Sequence, residues 1–161
     1  MPIINVQLAG EGKNPDGTTI PLPPAFGLVQ RGPILQVVVS LEQQMAQQLL
    51  QQGIHVPDPV PGLALIDTGA TTTCVDAEAA QKLGLPVVNV VNIASASHTS
   101  SQHNVYPIHI AVAGSPIRIN APRAVGVPLA AQGLLVLIGR DVLSACILFY
   151  NGAMGSFTLS M

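Results

Sequence analysis

The sequence predicts a mainly β protein with two or three short helices. Glycine and proline account for 15 and 14 of the 161 residues, and they divide the chain into short segments. β-Branched residues are common in these segments and aromatic residues make up only 3% of the chain, which favours many short strands joined by turns. At this length we expect one domain, residues 1–161, with a substantial core.

Charge and hydropathy exclude several classes of function. The net charge is −2 and the six Lys and Arg residues are not clustered, so we expect no nucleic-acid binding. No apolar run approaches the ~20 residues of a membrane span, and the N-terminus lacks the features of a signal peptide. We therefore expect a cytoplasmic protein that does not bind membranes. With only 9% charged residues, some apolar surface is expected to be covered by a partner subunit.

The first third of the chain predicts an N-terminal hairpin or extension and one helix. Residues 3–8 and 18–22 have strand character, with a turn at 14–18 between them, so 1–27 is assigned to this extension. Regular structure breaks at 21–24, and a strand restarts at about Ile34. A helix is expected over 40–53 on the outside of the sheet, with Ser40 as its cap, Gln43 completing a capping box and Gly53 as its stop.

The middle of the chain predicts a strand, a helix and a long hairpin. An apolar strand over 63–66 runs directly into Asp67, and Asp76 is placed to cap a helix over 77–83. Residues 87–112 form two strand-like arms around a centre rich in Ser, Thr and Ala, which is typical of a hairpin. Further strands follow over 115–128, then a strand, a Gly turn, a short helix and a strand over 134–150, and a last strand over 156–161.

Two motifs stand out because each joins an apolar strand to Gly and Asp. The first is the DTGA sequence that follows Ile66, and the second is the LLVLIGRDVL sequence over 134–143. In this order, with the hairpin between them, they resemble the retropepsin-like aspartic peptidases, the single-domain relatives of retroviral proteases. The resemblance covers residues 28–161 and begins at the sequence LVQRGPILQVVV (28–39), which is similar to the family's first long strand. It implies a closed, barrel-like acid-protease fold of a single lobe, with 87–112 as a flap hairpin.

The resemblance also implies an endopeptidase that works as an obligate homodimer. Amide hydrolysis by carboxylates needs one of them as a base on water and a second, protonated one to protonate the carbonyl oxygen. This chain has one DTG sequence, so the pair would be Asp67 from each of two subunits. The expected substrate is an extended peptide or protein, and no metal or organic cofactor is implied.

Family roles carry over to several residues around these motifs. Thr68 would hydrogen-bond across the dimer, Gly69 would allow a tight turn, and Ala70 stands where relatives often have Ser, which predicts a less acidic pH optimum than a Ser variant would show. The substrate-binding part of the flap would comprise Ile93, Ala94, Ser95, Ala96, Ser97 and His98.

The second motif is expected to be structural. Its members are Leu137, Ile138, Gly139, Arg140 and Asp141. Gly139 would let the strand pass under the DTG loop. Arg140 joins a charge network in the family, often with an acid four positions after the catalytic Asp, but Thr71 occupies that position here. Arg140 is therefore expected to bind Asp141, Asp76 or a carbonyl.

The same residues allow other interpretations. Asp67 alone could be a turn residue. His98, His103 and His109 lack ligand-like spacing, so no metal site is expected, and Cys74 and Cys146 are expected to be small apolar residues rather than nucleophiles. The alternative function is a non-catalytic retropepsin-fold dimer that binds peptides or proteins. The intact DTG sequence favours the enzyme.

Overall fold

The structure is a computed structural model that describes residues 1–95 and 98–161. Its strands are β1 (Ile3–Gln7), β2 (Gly10–Lys13), β3 (Thr19–Leu22), β4 (Ile34–Leu41), β5 (Val60–Ile66), β6 (Cys74–Asp76), β7 (Asn89–Ser95), β8 (His98–Val112), β9 (Arg118–Val127), β10 (Val136–Ile138), β11 (Ile147–Asn151) and β12 (Ser156–Ser160). Its α-helices are α1 (Pro24–Arg31), α2 (Gln43–Gln51), α3 (Ala77–Lys82) and α4 (Arg140–Leu143), and a 3₁₀ turn spans Ala130–Gln132.

Six strands close into a barrel. The main sheet has the order β4-β5-β10-β6-β9-β8-β7, and an additional pairing of β4 with β8 closes the circle, leaving β7 outside it. The pairs β5–β10 and β6–β9 are parallel, while β4–β5, β4–β8, β6–β10 and β8–β9 are antiparallel. The predicted mainly β fold with a closed barrel and few helices is confirmed.

The barrel interior is filled by alternating side chains from these strands. In β4, for example, Leu35, Val37 and Val39 are buried, while the residues between them are more exposed. Burying one such side chain contributes about 1.5–3 kcal/mol. The same core includes Ala64, Ile66, Val75, Ile108, Ile110, Ile119, Val136 and Ile138. This packing fixes the ends of β5 and β10, which carry the two sequence motifs.

The N-terminal extension is built differently from the prediction. Strand β1 does not pair with β3 but with the C-terminal strand β12, which also pairs with β11 in a three-stranded sheet. The hairpin is formed instead by β2 and β3, closed by a turn in which the Asp16 carboxylate accepts from the Thr18 amide at 2.9 Å. Pairing with β12 lets Ile4 and Val6 pack against the core, which the local turn signal could not indicate.

Helix α1 was not predicted, and residues 28–31, which the resemblance places in a strand, are helical. The prolines at 21–24 were interpreted as a break, but Pro24 occupies the first helical turn, where its missing N–H is not needed. Leu28 is buried, and the helix ends at Gly32 with a φ of 69°.

The predicted helix at 40–53 is confirmed as an element, but its start is wrong. Ser40 is not a cap: it lies in β4 opposite His109, because pairing with β8 continues through Leu41. The helix is α2, and Glu42 caps it by accepting a hydrogen bond from the Met45 amide at 3.3 Å. None of its residues is fully buried, in agreement with an outer position.

The remaining elements follow the prediction closely. Asp76 caps α3, β7 pairs with β8 in antiparallel fashion as in a hairpin, and β10, α4, β11 and β12 follow in the expected order. Along β8, Tyr106, Ile108, Ile110 and Val112 are buried. Among the described residues, no helix has the length and apolar character needed to cross a membrane.

Asp76 does more than cap a helix. One carboxylate oxygen accepts from the Ala79 amide at 3.1 Å, and the other accepts from the amides of Leu129 and Ala130 at 2.9 and 3.0 Å. Burial acts to raise the pKa of this carboxyl, but the backbone N–H donors outweigh it and leave the pKa below its ordinary value. These hydrogen bonds link α3 to the segment before β10, and the Asp76 side chain that makes them is only 5% exposed.

We predict that Asp76→Ala lowers the free energy of unfolding by about 3 kcal/mol at neutral pH, since a cap is lost and two further amides lose their acceptor. Because the folded-state pKa is below the ordinary one, this stabilisation is complete at neutral pH and is lost as the pH falls through the folded-state pKa. Urea unfolding at several pH values measures both effects. The exposed Asp58→Ala is the control, expected within about 0.5 kcal/mol of wild type, and a loss for Asp76→Ala that does not change with pH would contradict the assignment.

Candidate active site

The two sequence motifs emerge side by side at one end of the barrel. Strands β5 and β10 run parallel, with Ile66 opposite Ile138, so the residues that follow them, Asp67 and Gly139, leave the sheet together. The Asp67 amide donates to the Ile138 carbonyl at 3.0 Å. The pairing of these strands therefore sets the position of Asp67.

The Asp67 carboxylate is held by its own loop. Its Oδ1 atom accepts from the amides of Gly69 at 2.8 Å and Ala70 at 3.2 Å. A Cβ atom at position 69 would lie 3.1 Å from the same oxygen, so glycine leaves the carboxylate the room it needs. Asp67 is half-buried, and its Oδ2 atom accepts no hydrogen bond from any described residue. One oxygen is fixed, and the other is free to bind water or a second group.

The loop that follows Asp67 is fastened to the second motif by backbone hydrogen bonds. The Arg140 amide donates to the Ala70 carbonyl at 3.0 Å, and the Asp141 amide donates to the Thr71 carbonyl at 3.2 Å. At Gly139 the chains approach so closely that a Cβ atom would lie 2.6 Å from the carbonyl carbon of Thr72. No side chain fits at position 139 without moving the loop.

Hydrogen bonds between Thr73, Asp141 and Gly139 stabilise the contact between the Asp67 loop and the second motif. The Thr73 amide lies 3.0 Å from both Asp141 carboxylate oxygens, and its hydroxyl donates to Asp141 Oδ1 at 2.8 Å. The same hydroxyl accepts from the Gly139 amide at 3.1 Å. Thr73 is fully buried, and sequence reasoning missed it because nothing in the TTT run of residues 71–73 distinguishes it from its neighbours.

Arg140 does not bind the partners expected from the sequence. Its guanidinium donates to the Thr71 hydroxyl at 2.8 Å. Asp141 instead accepts from Thr73 and from the Val142 amide, and Asp76 accepts from three amides elsewhere in the fold. The side chain at position 71 is still the partner of this arginine, but as a neutral hydroxyl.

A cleft of about 600 Å³ opens beside the Asp67 loop. Its walls come from the loop, from β6, β9 and α4, and from the β7–β8 hairpin. The lining residues are Ala70, Thr71, Thr72, Cys74, Val91, Asn92, Ile93, Val105, Arg123, Val125 and Asp141. Apolar side chains thus form most of a surface that begins three residues from Asp67, and the cleft is large enough for peptide side chains.

Cys74 is half-buried in this wall, and its thiol donates to the Thr72 carbonyl at 3.5 Å. Burial raises its pKa, and the negative charges of Asp141 and Asp67 raise it further. Burial likewise raises the pKa of the Cys146 thiol. Both cysteines therefore stay protonated at neutral pH, which disfavours a nucleophilic role.

The β7–β8 hairpin forms one wall of the cleft. Strand β8 pairs with β9 only from Val105 onward, so its earlier part pairs with β7 alone. The His103 side chain adds a further contact between β8 and β9, because its Nδ1 atom lies 2.9 Å from the Gly126 carbonyl. Its Nε2 atom lies 2.7 Å from the Ser101 hydroxyl. A carbonyl can only accept, so Nδ1 carries the proton. His109 lies 2.7 Å from the Asn120 side-chain oxygen on β9.

The residues predicted to cover a substrate are only partly described. Ile93 lines the cleft, Ala94 and Ser95 follow it in β7, and the backbone of His98 pairs with that of Ser95 at the start of β8. The other two, Ala96 and Ser97, lie outside the described residues.

Thr68 is exposed, and its side chain makes no hydrogen bond within the described part of the chain. Its expected bond across a dimer remains a prediction. Leu137 is half-buried in β10 opposite Leu65, while Ile138 is fully buried in the core. The first motif thus presents polar groups to the surface, and the second supports it from beneath.

Comparison with known proteins identifies the family. The sequence model of the family described as "gag-polyprotein putative aspartyl protease" matches residues 58–145, more than half of the 161-residue chain and a range that contains both motifs. No curated protein matches the sequence significantly. A crystal structure of a retropepsin-like aspartic protease from Rickettsia conorii aligns with a TM-score of 0.48 and 12% identity, covering 98% of this chain and 90% of the other. On the family match, the chain belongs to the retropepsin-like, retroviral-type aspartyl proteases.

Proposed function

We propose that this protein is an aspartic endopeptidase that hydrolyses peptide bonds through a water molecule held between two Asp67 carboxylates, one from each subunit of a homodimer. The observation that carries the proposal is the state of Asp67 at the edge of the cleft. One of its oxygens is fixed by the amides of Gly69 and Ala70, and the other has no partner among the described residues. That is the geometry of a carboxylate prepared to bind water.

A second acid has to come from another copy of the chain. Asp141, the carboxylate that hydrogen-bonds to the segment following the loop, has its oxygens occupied by Thr73 and by the Val142 amide. It cannot serve as a proton donor without breaking the support of the loop. A two-fold axis beside the loop would bring Asp67 to Asp67, and two adjacent carboxylates share one proton.

The reaction then proceeds as general acid–base catalysis. The ionised Asp67 takes a proton from the water as its oxygen attacks the peptide carbonyl carbon. The protonated Asp67 of the second subunit gives its proton to the carbonyl oxygen, which yields a neutral tetrahedral diol. Proton transfer to the nitrogen and cleavage of the C–N bond release an acid and an amine. The Gly69 and Ala70 amides hold the carboxylate in place throughout, so little reorganisation is needed.

In the proposed binding mode, the β7–β8 hairpin acts as a flap and the substrate lies beneath it. Ile93, Ala94, Ser95, Ala96, Ser97 and His98 form the covering segment in this proposal, and the apolar cleft takes substrate side chains. An extended peptide can add its backbone hydrogen bonds to the hairpin as a further strand.

The three-stranded sheet supplies a surface for the second subunit. Among the described strands, β11 pairs only with β12, and its outer face carries Ile147 and Phe149, which are 61% and 62% exposed. Ile3 on β1 lies on the same face, because both Ile3 and Ile147 pair with Ser160. An edge strand with exposed apolar residues favours association, and pairing of β11 with its symmetry mate would cover it.

The first test is hydrolysis of casein by the wild type and by Asp67→Asn between about pH 4 and 7, the range set by coupled carboxylates. We expect wild-type cleavage and a loss of about 1,000-fold or more in the variant, because the base is removed while the shape is kept. Asp58→Asn, on an exposed loop, is the matched control and should cleave like the wild type. Equal cleavage by Asp67→Asn, or none by the wild type, would favour a peptide-binding dimer instead.

A second prediction concerns the β11 surface. Phe149→Asp should weaken the dimer by about 30-fold, since a buried aromatic anchor is replaced by a charge, and sedimentation velocity over a range of concentrations measures this. Val29→Asp is the control, because Val29 is 79% exposed and lies on α1 rather than on the β11 edge. If Phe149→Asp leaves the dimer as strong as Val29→Asp does, the interface assignment is wrong.

A further inference from the structure

Arg123 gives the cleft a positive charge that the family resemblance does not imply. Among the described residues that line the cleft, it is the one basic side chain, and Asp141 is the one acidic side chain. The rest of the lining is apolar or neutral. The cleft therefore combines an apolar surface with a single cation.

A bulge in β9 directs Arg123 toward the cleft. Tyr106 pairs with Ala124 and Ile108 pairs with Ala121, so two residues of β9 stand opposite the single residue Pro107. Without the extra residue, position 123 would follow Ile119 and Ala121 into the buried side of the strand. With it, Ala124 turns inward and Arg123 turns outward. Bulges often redirect a side chain next to a site in this way.

The strand register places this cation relative to Asp67. Cys74, Val125 and Val105 are paired across β6, β9 and β8, and all three line the cleft. Since β6 and β9 run parallel, the residues two positions earlier, Thr72 and Arg123, lie on the same side and also line it. Arg123 is thus at the end of the cleft nearer to the Asp67 loop.

The guanidinium of Arg123 is available for a ligand. The side chain is exposed, and within the described part of the chain it donates no hydrogen bond and forms no ion pair. Asp141 offsets part of the charge, but its oxygens already accept from Thr73 and Val142. Among the described residues, no acceptor occupies any of the five N–H donors of Arg123, and these donors can bind an anionic group.

We propose that Arg123 makes this part of the cleft select substrates with an acidic side chain at the residue that enters it. The carboxylate of a Glu or Asp can receive two parallel N–H bonds from a guanidinium, which a neutral amide cannot match. The apolar side chains that line the cleft contact the methylene groups of the same side chain. This inference rests on the proposed peptidase function and specifies its substrate class.

The test uses a mixture of synthetic peptides that contain matched Glu and Gln versions of each sequence, with the new termini identified by mass spectrometry. We expect kcat/KM to be about tenfold higher for Glu than for Gln at one fixed position from the cut, the lower end for a hydrogen bond to a charged group. In Arg123→Gln this preference should disappear while Gln peptides are still cleaved. Arg118→Gln removes a charge from the same strand, where the guanidinium donates to the Ser115 and Ile117 carbonyls, and should keep the preference.

The outcomes separate this inference from the proposed function. The same peptide mixture is also passed over immobilised Asp67→Asn, with and without Arg123→Gln. If the wild type and Arg123→Gln cleave the peptides with the same ratio of Glu to Gln rates, the inference about Arg123 is wrong, while the proposed peptidase function stands. If nothing is cleaved but acidic peptides are retained in an Arg123-dependent way, the peptidase function fails and the selectivity stands. Neither cleavage nor retention would overturn both.

Discussion

The parallel pairing of β5 with β10 is the constraint on which the rest of the structure depends. It places the end of one strand, at Ile66, beside the end of the other, at Ile138, and the Asp67 amide continues the ladder to the Ile138 carbonyl. Neither strand could hold this position alone, since β10 has only three residues. The closed barrel supplies the rigidity, because both strands are buried in its core.

Because the two strands end side by side, the first motif presents Asp67 and the second motif supports the loop that carries it. Gly139 lets the backbones come together, and Thr73 and Asp141 satisfy the polar groups that this close approach buries. The Asp67 loop is thus held by hydrogen bonds from neighbouring backbone and side-chain groups, and the Oδ2 atom of Asp67 accepts no hydrogen bond from any described residue. Such a site is preorganised, and in the proposed mechanism one chain offers only half of the acid–base pair. The exposed edge of β11 and the open side of the cleft are consistent with a second half supplied by symmetry.

Local signals in the sequence predicted the features that depend on neighbouring residues. The Asp76 cap, the β7–β8 hairpin and the two motifs were all readable, because cap, turn and apolar patterns act over a few positions. Pairings between residues that are distant in sequence could not be predicted in this way. Ser40 looked like a cap but was drawn into β4 by pairing with His109, and β1 paired with a strand more than a hundred residues away. The Thr73–Asp141 bond joins residues 68 positions apart, and Arg123 reaches the cleft only through a bulge that no pattern of its own strand reveals.

The central claim is that each active site needs Asp67 from two chains, and a subunit-mixing measurement tests it most directly. Wild-type and Asp67→Asn chains are combined in equal amounts, allowed to exchange subunits, and assayed for peptide hydrolysis. If both carboxylates are required, only dimers of two wild-type chains are active, and the activity falls to about a quarter of that of undiluted wild type. An activity of about half, in proportion to the wild-type chains present, would mean that each chain works alone and would contradict the account.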